Sequence, residues 1–136
     1  RLSPSAEHAD DIAQGFRIVR AIGALDVGQA AIVCEGLALA VEAAEGTDAM
    51  IARILHLPAH LRGTPAKKRG VLVKALQPPP DARPNLPVIG VETVRRAAEA
   101  GLAGIALEAG AALVMDRGAV AMAADELGLF VVGCEP

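Results

Sequence analysis

The chain has 136 residues, 53% of them hydrophobic but only 1% aromatic, and 13 basic against 16 acidic side chains give a net charge of −3. A length of this order predicts one domain that buries roughly two thirds of its unfolded surface, and the apolar content excludes a disordered chain. The slightly acidic balance, with no Trp or Tyr, removes both the charge and the stacking surfaces of a nucleic-acid binder.

In chain order, the first predicted element is a helix. Ser5 is its N-cap, His8 stands at the third helical position, and Ile12, Phe16, Val19 and Ile22 recur at helical spacing up to Gly23. Two apolar runs in "QAAIVCEGLALAVEA" then flank Glu35-Gly36, which predicts a pair of strands joined by a hairpin turn or a bulge. A second helix runs from Asp48 toward Pro58, with His56 and His60 as ordinary helix-end residues. The basic run Lys67, Lys68, Arg69 is expected to be a solvated loop. "GVLVK" is a buried strand ending at Lys74. "QPPPDARPNLPVIG" holds five of the nine prolines and is expected to be a rigid loop. A third helix over "VETVRRAAEAGLAG", strands over "GIALEAG" and "AALVMD", a fourth helix from Arg117 and a last strand "LFVVGCE" complete the chain. Buried strands alternating with amphipathic helices predict a single α/β domain over residues 1–136, with one mixed sheet flanked by helices and some antiparallel pairing between adjacent strands.

Several familiar chemistries are missing. There is no GxGxxG after a strand, no P-loop, no HExxH and no GxSxG elbow. Cys34 and Cys134 lie in apolar runs a hundred residues apart, which predicts buried reduced thiols and a reducing compartment rather than zinc. No run reaches the roughly 18 uninterrupted apolar residues of a membrane span, and no leader pattern opens the sequence.

Three features remain. "VEAAEGTDAM" gathers Glu42, Glu45 and Asp48 between apolar segments. Thr47 is expected as an N-cap and Asp48 as a first-turn acid; neither role uses Glu42 or Glu45. At the carboxyl edge of an α/β sheet, where ligands commonly bind, such carboxylates suit Mg²⁺ or Mn²⁺. A helix cap with a solvated edge and a metal or substrate site are thus the two readings of this turn. Lys74, ending a strand, is placed either to meet a phosphate as a point charge or to extend its head into water. In the proline-rich stretch Asp81, Arg83 and Asn85 are spaced to reach one opening, and Arg83 is suited to clamp a phosphate oxygen.

The blocks "LDVGQAAIVCEGLALAVEAAEGTDAMIARI", "GVLVKA" and "LPVIGVETVRRAAEAGLAGIALEAG" together resemble the C-terminal domain of the LpxI family, the UDP-2,3-diacylglucosamine pyrophosphatases of lipid A synthesis. The resemblance covers nearly the whole chain. It implies metal-dependent hydrolysis of UDP-2,3-diacylglucosamine to UMP and 2,3-diacylglucosamine 1-phosphate (lipid X), with Mg²⁺ or Mn²⁺ as cofactor. Glu42, Glu45 and Asp48 would then hold or orient the metal, and Thr47, Lys74 and Arg83 would meet the substrate. The family is about twice this length, so an N-terminal domain is an expected partner, with the substrate between the two. The location implied is cytoplasmic, with peripheral contact at the inner membrane, and apolar surface left by the absent domain predicts self-association.

One position departs from the family. Where this chain has Asn85, in "RPNLPVIG", the family carries an Asp regarded as a catalytic acid. An amide carries no negative charge and is no general base. Asp81, four residues earlier, is the candidate to replace it. The competing readings are a non-catalytic module that binds nucleotide-lipid or docks to its other half, and a small α/β enzyme acting on plain UDP-sugars.

Overall fold

A computed structural model of the chain describes residues 3–75, 88–108, 113–114 and 117–134. The helices are α1 (Ala6–Ala24), α2 (Thr47–Arg53), α3 (Val91–Glu99) and α4 (Arg117–Leu127). The strands are β1 (Ala30–Cys34), β2 (Leu37–Val41), β3 (Val71–Lys74), β4 (Val88–Ile89), β5 (Gly104–Glu108), β6 (Leu113–Val114) and β7 (Phe130–Cys134). Five strands form a mixed sheet in the order β2-β1-β3-β5-β7. In it β1 is antiparallel to both β2 and β3, while β3, β5 and β7 run parallel.

The α/β class and the mixed sheet match what the alternation of elements predicts. The pairing differs in one place. β5 and β6 are neighbours in sequence but do not pair with each other; β6 pairs in parallel with β4 in a separate two-stranded ladder. β4 is short and directly follows Pro87, so a strand there is hidden behind loop composition.

Period-2 alternation sorts the strand residues between two helical layers. On one face Ile12, Phe16 and Val19 of α1 meet Ala31, Val71, Val73 and Phe130. On the other, Met50 and Ile51 of α2 and Val94 of α3 meet Ile32, Leu72 and Ile105. These last three are fully shielded from water on adjacent strands, and burial of each contributes about 1.5–3 kcal/mol. Val71 and Val73 face α1, so Lys74 shares the face of Leu72 and points to the side of α2 and α3.

Local chemistry sets the boundaries. Ser5 Oγ accepts from the His8 backbone N–H, while His8 Nδ1 accepts from the Ser5 N–H at 3.0 Å, a capping box with histidine in the usual Glu position. α1 passes through Gly23 and ends at Ala24, one residue beyond the expected stop. The reversal is made by Asp26, at φ 58, with the Val27 N–H bonded to the Ile22 carbonyl at 2.8 Å. α2 ends at Arg53, well short of Pro58, and continues as two 3-10 turns, Ile54–His56 and Ala59–Leu61. Leu57 is extended (ψ 153) because the proline ring crowds the helical conformation of the residue before it. His56 and His60 lie in these turns, as helix-end residues would.

Glu35 and Gly36 join β1 to β2 as a two-residue hairpin with φ positive at both, 50 and 85, the requirement of a type I′ turn. Asp11 of α1, 3% exposed, reaches across to it. Its two carboxylate oxygens accept the Glu35 N–H at 2.9 Å and the Gly36 N–H at 2.8 Å. The Glu35 carboxylate in turn holds Arg69 through Nε at 2.9 Å and Nη2 at 2.7 Å. These hydrogen bonds keep the Glu35 carboxyl below the usual carboxylate range. Arg69 also donates to the Arg62 carbonyl at 3.1 Å. It is thus an anchored residue, unlike the solvated loop expected of the basic run. Both cysteines are free thiols, Cys34 buried and Cys134 half-buried, and burial raises the pKa of each.

Asp11→Ala is expected to lower stability by about 1–2 kcal/mol, since two backbone N–H groups of the exposed turn lose a charged, buried acceptor, and Asp11→Asn by about half as much. Urea titration reads both. A midpoint unmoved in Asp11→Ala would show that the hairpin holds its turn without the helix.

Candidate functional site

The parallel strands β3, β5 and β7 share a carboxyl edge, the edge at which α/β sheets commonly bind ligands. Because β1 runs the other way, its first residue Ala30 lies opposite Lys74, and the end of β2 arrives beside it. The Glu42 N–H bonds to the Ala30 carbonyl and the Ala75 N–H to the Gln29 carbonyl, both at 2.9 Å. Gln29, Glu42 and Lys74 are therefore neighbours at one edge, and Thr47 enters above them at the start of α2.

The polar side chains here are buried and joined. Glu42 is 8% and Lys74 7% exposed. Glu42 Oε1 accepts the Gln29 backbone N–H at 2.8 Å, and Oε2 accepts the Thr47 hydroxyl proton at 2.6 Å. Lys74 Nζ donates to Thr47 Oγ1 at 3.1 Å. The direction of each bond is fixed by valence. An ammonium has only donors and a carboxylate only acceptors, so the Thr47 oxygen accepts from Lys74 and its one proton goes to Glu42. Burial pushes the Lys74 ammonium below the ordinary lysine range, and the charges of Glu42 and Asp48 oppose that push. Gly28 permits the approach: a Cβ there would stand 2.2 Å from the Glu42 carbonyl oxygen.

The other acidic residues of the turn are occupied separately. Glu45 Oε1 accepts the Ala43 N–H at 2.7 Å, and Oε2 pairs with Arg53 Nε at 3.3 Å. Asp48 faces Arg96 of α3, with Nε at 3.6 Å. Among the described residues no three His, Cys, Asp or Glu side chains stand together as a metal-binding group. Glu42, Glu45 and Asp48 are thus close in sequence but are not brought together as ligands, and the donor set of this turn does not fit a protein-built metal cage.

Two expectations change. Thr47 is not the N-cap: Gly46 holds that position at φ 88 with no side-chain cap bond, and the Thr47 hydroxyl turns inward to Glu42 instead. Nor does Lys74 extend into water. Gly28 and Gln29 escaped sequence reasoning because they act through backbone and absence of a side chain; a glycine two residues before a buried strand was the signal. Asp81, Arg83 and Asn85 lie outside the described residues.

The chain matches the model of the LpxI C-terminal domain over residues 1–132. It is 56% identical, over all 136 of its residues, to the UDP-2,3-diacylglucosamine pyrophosphatase LpxI of Caulobacter vibrioides, of which it covers 49%. The chain thus spans about half the length of the curated relative it matches.

Thr47→Val keeps the shape and removes the hydroxyl, leaving a buried carboxylate and a buried ammonium each short of one partner. We expect a loss of about 1–3 kcal/mol, and less than about 1 kcal/mol for Thr47→Ser, which keeps the oxygen. Thermal or urea denaturation separates the two. Equal losses would mean that the methyl group, not the hydrogen bonds, matters at this position.

Proposed function

Because the chain belongs to the LpxI C-terminal domain family, we propose that it forms half of an enzyme that hydrolyses UDP-2,3-diacylglucosamine. The products would be UMP and 2,3-diacylglucosamine 1-phosphate (lipid X), and the N-terminal half would complete the site. The observation that carries the proposal is a buried ammonium, Lys74, held at the carboxyl edge of the parallel strands. Cleaving a diphosphate asks little covalent chemistry of the protein; the demand is for positioning and for charge where negative charge develops. A lysine with little water around it interacts strongly with phosphate oxygens. Arg83 adds a planar fork suited to the same oxygens.

The acid–base role falls to Asp81 in this proposal. Between Ala75 and Gly90 it is the sole carboxylate in the sequence, and the amide of Asn85 neither takes up a proton nor bears charge near neutral pH. The divalent ion that goes with the family stays within the proposal, but no step is derived through it, since the acidic turn does not fit as its cage. The acyl chains of the substrate favour work at a membrane surface from the cytoplasm. No helix among the described residues is long and apolar enough to cross a membrane.

The test is UMP release from UDP-2,3-diacylglucosamine by this chain supplied with its N-terminal half, with Mg²⁺, with Mn²⁺ and with a chelator. We expect turnover that stops on chelation and falls about a hundredfold or more in Asp81→Asn. A rate indifferent to Asp81→Asn but raised by Asn85→Asp would return the acid to position 85. The amide at 85 also favours a second reading, a module that binds the nucleotide-lipid without cleaving it. Tight substrate binding with no UMP from either the chain as written or Asn85→Asp would establish that reading in place of the enzyme.

A further inference from the structure

We propose that Glu42 is a positioning residue: acting through the Thr47 hydroxyl, it fixes where the Lys74 ammonium stands at the carboxyl edge of the sheet. This rests on the diphosphate-binding part assigned to Lys74 above. It changes the role of Glu42 from metal ligand to support, and that of Thr47 from substrate contact to connector.

Both oxygens of Glu42 are already engaged inside the domain, by the Gln29 N–H at 2.8 Å and the Thr47 hydroxyl at 2.6 Å. Short bonds of this kind to a carboxylate are the strong ones. The single Thr47 proton is committed to Glu42, so it has none to give a phosphate oxygen. What the hydroxyl offers instead is a lone pair, and Lys74 uses it. Lysine is a flexible four-carbon stem carrying a point charge, with no geometry of its own. A rigid acceptor beside Nζ supplies that geometry. Its own rigidity comes from Glu42, which is pinned at its other oxygen by the backbone of Gln29. A displacement of about 1 Å in such a group costs on the order of a hundredfold in rate.

The test uses the chain supplied with its N-terminal half and variants Glu42→Gln, Thr47→Ser, Thr47→Val and Lys74→Met. Glu42→Gln puts a donor where an acceptor is needed. We expect it to lower kcat/KM about tenfold to a hundredfold with the metal concentration for half-maximal rate unchanged, and Thr47→Ser to stay within about threefold. In the Lys74→Met background Glu42→Gln should add little, because the residues act as one unit. A full multiplicative loss in that background, or a shifted metal requirement, would overturn the proposal. A second readout does not need turnover. The ¹⁵N resonance of Lys74 Nζ, identified by its loss in Lys74→Met, should be sharp in the unmodified protein and in Thr47→Ser. It should broaden in Glu42→Gln and Thr47→Val. An unmoved resonance in Glu42→Gln would overturn the proposal even with an inactive protein, whereas inactivity of the unmodified protein alone counts against the pyrophosphatase reading.

Discussion

Ala30 stands opposite Lys74 because β1 runs antiparallel to β3, and the rest of the architecture depends on that one reversal. A parallel β1 would send its start, and the end of β2, to the far side of the sheet. The antiparallel ladder instead delivers Gln29, Glu42 and Thr47 to the edge where β3, β5 and β7 finish. Side-chain alternation then decides the layer. Val71 and Val73 are taken up by the core around α1, which leaves Leu72 and Lys74 for the opposite face. A shift of one residue in this register would hand Lys74 to the apolar surface of Phe16 and Val19.

The two buried carboxylates among the described residues solve one physical problem in the same manner. Asp11 and Glu42 are both nearly closed to water, and each is satisfied by donors at both oxygens. Among the described residues no shielded side-chain nitrogen or oxygen is left without a partner. Buried charge is tolerated only under that condition. Yet the outcomes differ. Asp11 binds backbone on both sides and closes a turn. Glu42 binds backbone on one side and a hydroxyl on the other, and through that hydroxyl its influence reaches a cation at the sheet edge. Exposed pairs such as Glu45–Arg53 and Asp48–Arg96 do work of a weaker kind, worth at most about 1 kcal/mol each.

The helices were legible where their apolar residues repeat strongly, as at Ile12, Phe16 and Val19, and the hairpin was legible because Glu35-Gly36 interrupts two apolar runs. Short elements were not. Two residues at Val88–Ile89 carry no period, and prolines before them read as loop. Lys74 and Glu42 could be singled out as charges set among apolar residues, but their partnership could not, because it joins residues 32 apart through a third side chain. Proximity in sequence, conversely, does not imply shared partners: Glu42, Glu45 and Asp48 lie within seven residues, yet the turn sends them to a backbone amide and a hydroxyl, to Arg53, and to a different helix. Thr47 was misassigned because a threonine before a helix is usually its cap; here a glycine with positive φ took that position and freed the hydroxyl.

The clamp from Asp11 to the hairpin closes a loop of modest length, its ends 24 positions apart, and closing it costs less entropy than closing a longer one. The parallel pairings of β3 with β5 and β5 with β7 each need a crossover through a helix and are intrinsically slower to form. Contact-order reasoning therefore divides assembly into an early N-terminal unit, α1 with the β1–β2 hairpin, and a later parallel one. Glu42 belongs to the first and Lys74 to the second. The polar chain between them spans the seam and is complete only when the two units have joined, so a competent edge is itself a report that folding has finished.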